Sequence, residues 1–524
     1  MATNQIIKVL ENLITDVPEN RGVAPMKILM VGAEVYPYAS VGGYAMVLNY
    51  LSRALAAKGH DVRVFMPKFG FIDKGTQFDL ETVIEGLRVP TDDPSEPYLI
   101  CNVKVHRTSA GVMTYFLENM EYYEKRANVY GYVDDAVRWA LLSRGALEFI
   151  RTGMFIPDII HTHDWHTSVL CDYVNRNYRD DDILNDISTV LTIHSMGHQG
   201  MFNHRHVSEL DYDDGRSSVA ALLSDRINKQ NFLRRGILYA DMLTTVSKTY
   251  AKEILTPEYG ECLDKLLLEV RSKLVGIVNG LNNVDFNPST DPLLAKNFDI
   301  HTLPNRVENK YALQDALGLP IKQDALVVGM LGRLDGQKGT DLAIKTMRHV
   351  LKDFNVQFVQ VGGGDGGLAE QLRGLHAEFP TKVGIHPYPN FSNLPRLMFG
   401  GSDVMLFPSR FEPCGIVQME AMRYGSIPIV RDIGGLADTV TAFNSITQEG
   451  TGLKFNDFNE FALFGQIVRA IELFQHKKLW NTLQKNAMST DFSWSVRAQD
   501  YEKVYKAAQA LHRKAFTRGV LDLD

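Results

Sequence analysis

Cysteine is scarce in this sequence. The four residues, Cys101, Cys171, Cys262 and Cys414, are scattered and show no metal-ligand spacing. That pattern fits free thiols in a reducing compartment and not a disulfide framework. Long apolar runs are missing as well: none approaches the roughly 18 residues that a membrane-spanning helix needs. Positive charge is also in short supply. Against 62 Asp and Glu there are 55 Lys and Arg, a formal net charge of −7, which argues against nucleic acid as the main partner. The first residues carry no secretory apolar core followed by a small-residue cleavage site. Residues 1–25 read as an N-terminal extension in which 5–14 form a short amphipathic helix. These absences leave a cytoplasmic enzyme with no membrane partner as the expectation, and they leave its oligomeric state open.

What is present is ordinary for a globular protein, 45% hydrophobic and 22% charged residues, and a length of 524 residues suggests about two to four domains. Met26 to Val31 (MKILMV) is a continuous apolar run between Pro25 and Gly32, and it reads as a buried parallel strand. The loop Gly32 to Val41 leads to Gly42-Gly43, a helix from Tyr44 to Lys58, and a strand from Val62 to Met66. A Gly pair at the first helix of a βαβ unit suits a nucleotide-binding sheet, although no G-x-G-x-x-G occurs. Strands are expected at Tyr98–Val105 and Met113–Glu118, and a helix at Asp134–Arg151. Ile159-Ile160 then enters His161-Thr-His-Asp-Trp-His166. Three histidines this close invite a metal, but at a strand exit they cannot share a helical face. The stronger reading is a ligand crevice at the carboxyl end of a parallel strand. The strand Thr189–Ile193 ends in His194-Ser195 in the same way.

The Pro/Asn/Asp-rich stretch from about 282 to 305 reads as a domain linker. A second strand-helix series follows: Leu326–Leu331, Thr340–Phe354, Gln357–Val361, 368–378 and 383–386. After Gly452 the chain is mostly helical, and its last helix, about Val496 to Phe516, carries Tyr501 and Tyr505 at i, i+4 spacing. The expected fold class is α/β, two doubly wound Rossmann-like domains. Ser409 to Val440 stands out between these helices. Its strand, Asp403 to Phe407, exits into Glu412 and the turn Pro413-Cys414-Gly415. The next strand, Ile427 to Val430, exits into Gly434-Gly435 at a helix N-terminus. A carboxylate suits sugar hydroxyls and a helix N-terminus suits a phosphate, so the pair points to a nucleotide-sugar site.

With these residues laid out, the chain resembles the bacterial glycogen synthases and plant starch synthases, retaining GT-B glycosyltransferases of the ADP-glucose type (glycosyltransferase family 5). The resemblance spans about residues 26–510 and rests on segments in matching order: HTHDWHT (161–167), TIHSMGHQGMF (192–202), NFLRRGILYADMLTTVS (231–247), NGLN (279–282), GRLDGQKG (332–339), SRFEPCG (409–415) and GGLADTV (434–440). It implies two Rossmann-like domains with a cleft between them. The acceptor domain covers 26–285 and the donor domain 286–495, and a helix and tail at 496–524 cross back to the first. It implies donor contacts from Gly42, Gly43, Asp164, Arg333, Lys338, Tyr388, Glu412, Cys414, Gly415, Gly434, Gly435 and Leu436, and catalysis by His194, Arg333, Lys338 and Glu412. Arg333 and Lys338 are the counterparts of the pair that holds the donor diphosphate, as a fork and a point charge can. Tyr388 is the counterpart of an aromatic that stacks on the base. The implied partners are a nucleoside-diphosphate glucose and an α-glucan acceptor, with neither cofactor nor metal.

The departures cluster in the N-terminal half. Where the family carries K-x-G-G, this chain has Ser40-Val41-Gly42-Gly43. Met46 stands where the family has an acid, and Ser195 where it has an asparagine. Glu420 adds an E-x7-E spacing with Glu412 that is commoner in the wider retaining GT-B group, against the plainer reading of a solvent-facing or capping helix residue. Loss of the lysine is expected to weaken transition-state stabilisation by about 2–4 kcal/mol, by analogy with removing one preorganised donor. The function implied is glucosyl transfer to the 4-OH end of an α-1,4-glucan with retention. The alternatives are a retaining GT-B enzyme with a different donor or acceptor, or a catalytically weak glucan-binding homologue.

Overall fold

The structure, a computed structural model, describes residues 24–72, 78–107, 111–201, 204–208, 212–388 and 393–521. The helix expected at 5–14 and Phe202 of the second matching segment lie outside them. The chain divides into two compact units. One holds the described residues up to Val246, then 251–280, then Trp494 onward; the other holds 247–250 and 281–493.

The first unit is built on a nine-stranded sheet of β1 (Lys27–Val31), β2 (Asp61–Pro67), β3 (Glu81–Pro90), β4 (Tyr98–Arg107), β5 (Met113–Glu118), β6 (Ile159–His163), β7 (Ser188–Ile193), β8 (Met242–Thr245) and β9 (Leu274–Gly276). The spatial order is β3-β4-β5-β2-β1-β6-β7-β8-β9. After its exposed first residue, Lys27, β1 is apolar and buried because it lies between two parallel neighbours: Leu29 stands opposite Arg63 of β2 and Ile160 of β6. The sheet departs from the expected all-parallel winding at one edge, where β4 runs antiparallel to both β3 and β5. Helices α1 (Tyr44–Ala57), α2 (Asp135–Arg151) and α3 (Asp164–Arg176) follow β1, β5 and β6. α4 (Phe232–Tyr239) and α6 (Asp264–Glu269) are short, as is α5 (Lys248–Glu253), whose first three residues are grouped with the second unit.

The second unit has a six-stranded parallel sheet of β10 (Leu326–Leu331), β11 (Val356–Val361), β12 (Val383–His386), β13 (Val404–Phe407), β14 (Ile427–Arg431) and β15 (Leu453–Phe455). Its order is β12-β11-β10-β13-β14-β15, the 3-2-1-4-5-6 order of a dinucleotide-binding sheet. Before, between and after the strands lie α7 (Arg306–Ala316), α8 (Thr340–Asp353), α9 (Gly366–Glu378), α10 (Leu394–Gly401), α11 (Val417–Arg423), α12 (Gly434–Thr439), α13 (Glu460–Gln475) and α14 (Lys477–Met488). The stretch expected to be a linker is bonded into this unit. Arg396 donates to the Asp285 carbonyl at 2.9 Å and lies 3.7 Å from the Phe286 ring centroid, and Tyr424 donates to the buried Asp291.

The last helix, α15 (Trp494–Leu521), packs on α1 and β7 of the first unit. Tyr501 and Tyr505 are buried on its inner face. Among the described residues no helix is long and apolar enough to cross a membrane.

Candidate active site

A strand-order switch point between parallel neighbours lies between β1 and β6 in the first sheet and between β10 and β13 in the second. The crevice outside the carboxyl ends of the strands at such a point is where open α/β sheets take ligands. The sequence motifs lie at these exits.

In the first unit the loop after β1 folds around Glu34. This buried carboxylate accepts the Val41 N–H and the Gly42 N–H, the latter at 2.9 and 3.1 Å to its two oxygens. A Cβ on Gly42 would stand 2.9 Å from Glu34 Oε1, so the carboxylate needs a glycine there. Gly43 follows as the exposed N-cap of α1. Burial pushes the Glu34 carboxyl up, with the two backbone N–H groups opposing. At the β6 exit Asp164 opens α3 with φ of 54°, a sparsely populated conformation for a residue with a Cβ. Its Oδ1 accepts the His194 N–H at 2.6 Å and the Ser195 N–H at 3.4 Å. Burial raises its carboxyl to about 7 against those two bonds.

His194 Nε2 lies 3.1 Å from His163 Nδ1, and burial lowers its pKa to about 3. A neutral imidazole therefore stands at the β7 exit, 5.3 Å from the Tyr44 ring. Tyr44 and Tyr130 hydroxyls meet at 3.0 Å. Beside them Tyr36, Tyr38, Ser40, Val41, Phe71, Asn128 and Tyr130 help line a groove of about 590 Å³, and among the described residues no charged side chain is in its wall.

The histidine cluster corrects the crevice reading. His161 and His163 lie within β6 and are fully buried. His161 sits between Tyr505 Oη at 2.9 Å and Thr192 Oγ1 at 2.6 Å, so it packs α15 onto the sheet. Its pKa falls to about 3, through burial first and His194 second. His166 is buried against Trp139, Trp165 and Tyr130. Among the described residues no group of three or more His, Cys, Asp or Glu is placed to hold a metal ion.

In the second unit the loops after β10 and β13 meet. Lys338 Nζ donates to Glu412 Oε2 at 2.6 Å, and Ser409 Oγ donates to the same oxygen at 3.1 Å. Asp335 fixes the loop, accepting the Lys338 N–H at 2.9 Å. Arg333 extends outward, its side chain 73% exposed, with Asp335 as its ion-pair partner at 3.4 Å. The turn after Glu412 is locked onto the next unit of the sheet: the Gly435 N–H donates to the Glu412 carbonyl at 3.0 Å. A Cβ on Gly435 would lie 1.9 Å from the Cys414 carbonyl oxygen. Gly415 and Gly434 both take positive φ, 69° and 46°.

Thus the structure brings Lys338, Glu412, Cys414 and Gly435 together, and Asp164 with His194. Leu436 is fully buried, so only its backbone faces the turn. Tyr388 follows β12, more than half exposed, its ring edge-on to His386 at 5.3 Å. Glu420 is half-buried, and burial raises its carboxyl to about 7, with Arg396 opposing.

Sequence reasoning missed Glu34, Asp335, Ser409 and the Tyr44–Tyr130 pair. Only the spacing of Asp335 from Lys338, an Asx-type turn signal, could have flagged one of them. Of the altered positions, Ser40 is exposed and Met46 and Ser195 are half-buried. Among the described residues no lysine or arginine hydrogen-bonds or ion-pairs with Glu34, Asp164 or His194.

Two family models match, the starch synthase catalytic domain over residues 27–269 and glycosyl transferases group 1 over 317–482. A glycogen synthase of Desulforamulus reducens is 38% identical over 486 residues, 92% of this chain and 98% of that one. One of Streptococcus gordonii is 38% identical over 490 residues, covering 92% and 100%. Among solved structures, the catalytic domain of starch synthase IV from Arabidopsis thaliana, bound to ADP and acarbose, matches with a TM-score of 0.79 at 29% identity over 93% of this chain and 100% of that chain. A sucrose-phosphate synthase of Thermosynechococcus elongatus, at 19% identity and TM-score 0.56, shares the fold. With two Rossmann-like units and relatives of this identity along nearly its whole length, the chain belongs to the glycogen synthase and starch synthase family of GT-B glycosyltransferases.

Proposed function

We propose that this enzyme moves a glucosyl unit from ADP-glucose to the 4-OH end of an α-1,4-glucan with retention. The observation that carries the reading is the Lys338–Glu412 contact at the second switch point, next to Gly434-Gly435. Lys338 and Arg333 would hold the donor diphosphate, and Glu412 the donor glucose hydroxyls. Tyr388 would stack on the base. The C1–O bond to the diphosphate breaks as the acceptor O4 bonds to C1, and the acceptor proton passes to a diphosphate oxygen. Charge builds on the leaving group, so fixed cations there stabilise the transition state more than the ground state. This reading calls for no metal, because Arg333 and Lys338 supply the positive charge. A neutral His194 would position the sugar near C1 without repelling developing positive charge, and Asp164 fixes the His194 backbone. The uncharged aromatic groove beside Ser40 and Val41 suits a neutral glucan and not a nucleotide. We place the enzyme in the cytoplasm, where its nucleotide-sugar donor would be made.

One observation favours a second reading, a catalytically weak glucan-binding homologue: the loop carrying Ser40 brings no cation to Glu34, Asp164 or His194. An incorporation assay with radiolabelled ADP-glucose and UDP-glucose and a glycogen primer separates the two. The proposal expects label in glycogen from ADP-glucose. Transfer only from another sugar nucleotide would redirect the donor assignment, and glycogen binding with no transfer from any donor would favour the second reading.

A further inference from the structure

Away from both switch points, the first unit carries a pocket of about 360 Å³, at the lower end of the range for small-molecule sites. Its wall includes Tyr212, Arg234, Cys262, Asp264 and Lys265. Two of the neighbouring cations are paired. Arg235, the next residue along α4, holds Asp172 at 2.7 Å and Asp213 at 2.7 and 3.0 Å, and Arg205 holds Glu261. Arg234 is not. Its Nε is buried with no hydrogen-bond partner, and its guanidinium makes no ion pair among the described residues, only a cation–π contact with Tyr212 at 4.9 Å. Lys265, exposed on α6, has neither hydrogen bond nor ion pair there either. A buried donor without an acceptor is costly and rare, and one that lines a pocket beside a second unpaired cation marks a place for an anion.

We propose that this pocket binds a small phosphate monoester. Arg234 offers a planar fork and Lys265 a point charge, the two ways side chains grip a phosphate. Asp264, also without a partner among the described residues, would repel a bare anion and accept hydroxyls, so it selects an ester with a polyol body such as a hexose monophosphate. The Asp213 carboxylate is committed to Arg235 and to the Asn231 N–H at 2.8 Å. The pocket also backs onto the active-site loop. Asn231 Nδ2 donates to Gln199 Oε1 at 2.6 Å, and Gln199 Nε2 reaches the Met196 carbonyl at 3.3 Å, two residues past His194.

Cys262 gives the test a native reporter, because it is exposed while Cys101, Cys171 and Cys414 are buried. The rate at which iodoacetamide alkylates Cys262 in the full chain is measured against glucose 6-phosphate, with potassium chloride holding ionic strength constant and Cys262→Ser confirming the labelled thiol. The expected result is saturable slowing, about tenfold at ten times the apparent Kd. Arg234→Gln should raise the half-protecting concentration by about tenfold or more, since a charge-assisted contact is lost. Lys265→Gln, at an exposed position that the fold does not need, should raise it by a smaller factor. No saturable slowing at millimolar ligand, equal protection by glucose, or unchanged protection in both variants would overturn the proposal.

Discussion

The two switch points of this molecule are built from the same parts and have diverged in charge. At the second, a lysine and a buried glutamate touch, a serine hydroxyl fixes the glutamate, and glycine backbone closes the turn. At the first, burial raises two carboxylates, Glu34 and Asp164, and keeps His194 neutral, and position 40 is a serine. The difference teaches where each kind of recognition resides. Under the proposed function, the diphosphate needs fixed positive charge, which the second unit would provide through Lys338. A neutral sugar needs shape, aromatic faces and hydrogen bonds, which the first unit would supply.

The sharpest way to break this comparison is Lys338→Ala. Transfer from ADP-glucose should fall by about 10²–10³, the usual cost of removing one preorganised donor, while circular dichroism and the thermal midpoint stay near wild type. Unchanged transfer would remove Lys338 from the reaction. Gly435→Ala should cost about 1–3 kcal/mol of stability, because its Cβ meets the Cys414 carbonyl in a packed turn. Urea denaturation reads this directly, and an unshifted midpoint would mean that the turn is looser than described.

Ser40→Lys probes the other unit. It is exposed, so stability should change by less than about 0.5 kcal/mol, and turnover should rise by about 30-fold or more if the position lacks only its charge, the reverse of a loss of about 2–4 kcal/mol. A fall in kcat would show that the first unit has adapted to the serine. The smallest effect concerns pH. Asp164 has a folded pKa of about 7 against an ordinary 3.8. Between those values the native state keeps a proton that the unfolded chain has released, so this residue lowers stability as pH rises through the window. Asp164→Asn keeps the accepting oxygen and should gain stability over wild type from about pH 4 to 7. A constant difference across that range would contradict the shift.

The buried parallel strands were legible because an apolar run flanked on both sides needs no alternation, as in β1 and β10. β3 was not legible. It is an edge strand with an exposed face, and its pairing with β4 slips between Thr82 and Ile84 and again between Ile84 and Leu87, which scrambles the period of two. α7 hid for a different reason: its inner face is polar. Arg306 is buried and donates to the Tyr424 and Phe399 carbonyls at 2.8 and 3.1 Å, and Lys310 is buried and donates to Asp403 at 2.8 Å.

In the site, the motif residues could be named because they sit at strand exits with a distinctive chemistry. Glu34 could not, because its partners are backbone N–H groups that leave no trace in side-chain spacing. His161 and His163 misled for the converse reason. Their polarity suggested a ligand, but strand alternation and α15 enclose them, and their partners lie as far away in sequence as Tyr505.

Calorimetric titration of the full chain with ADP tests the central division of labour most directly. Lys338→Ala should weaken ADP binding by about tenfold or more, while Asp164→Asn leaves it within about twofold of wild type, as expected for a change outside the nucleotide contacts. An Asp164→Asn protein that loses as much ADP affinity as Lys338→Ala, or a Lys338→Ala protein that binds ADP like wild type, would contradict it.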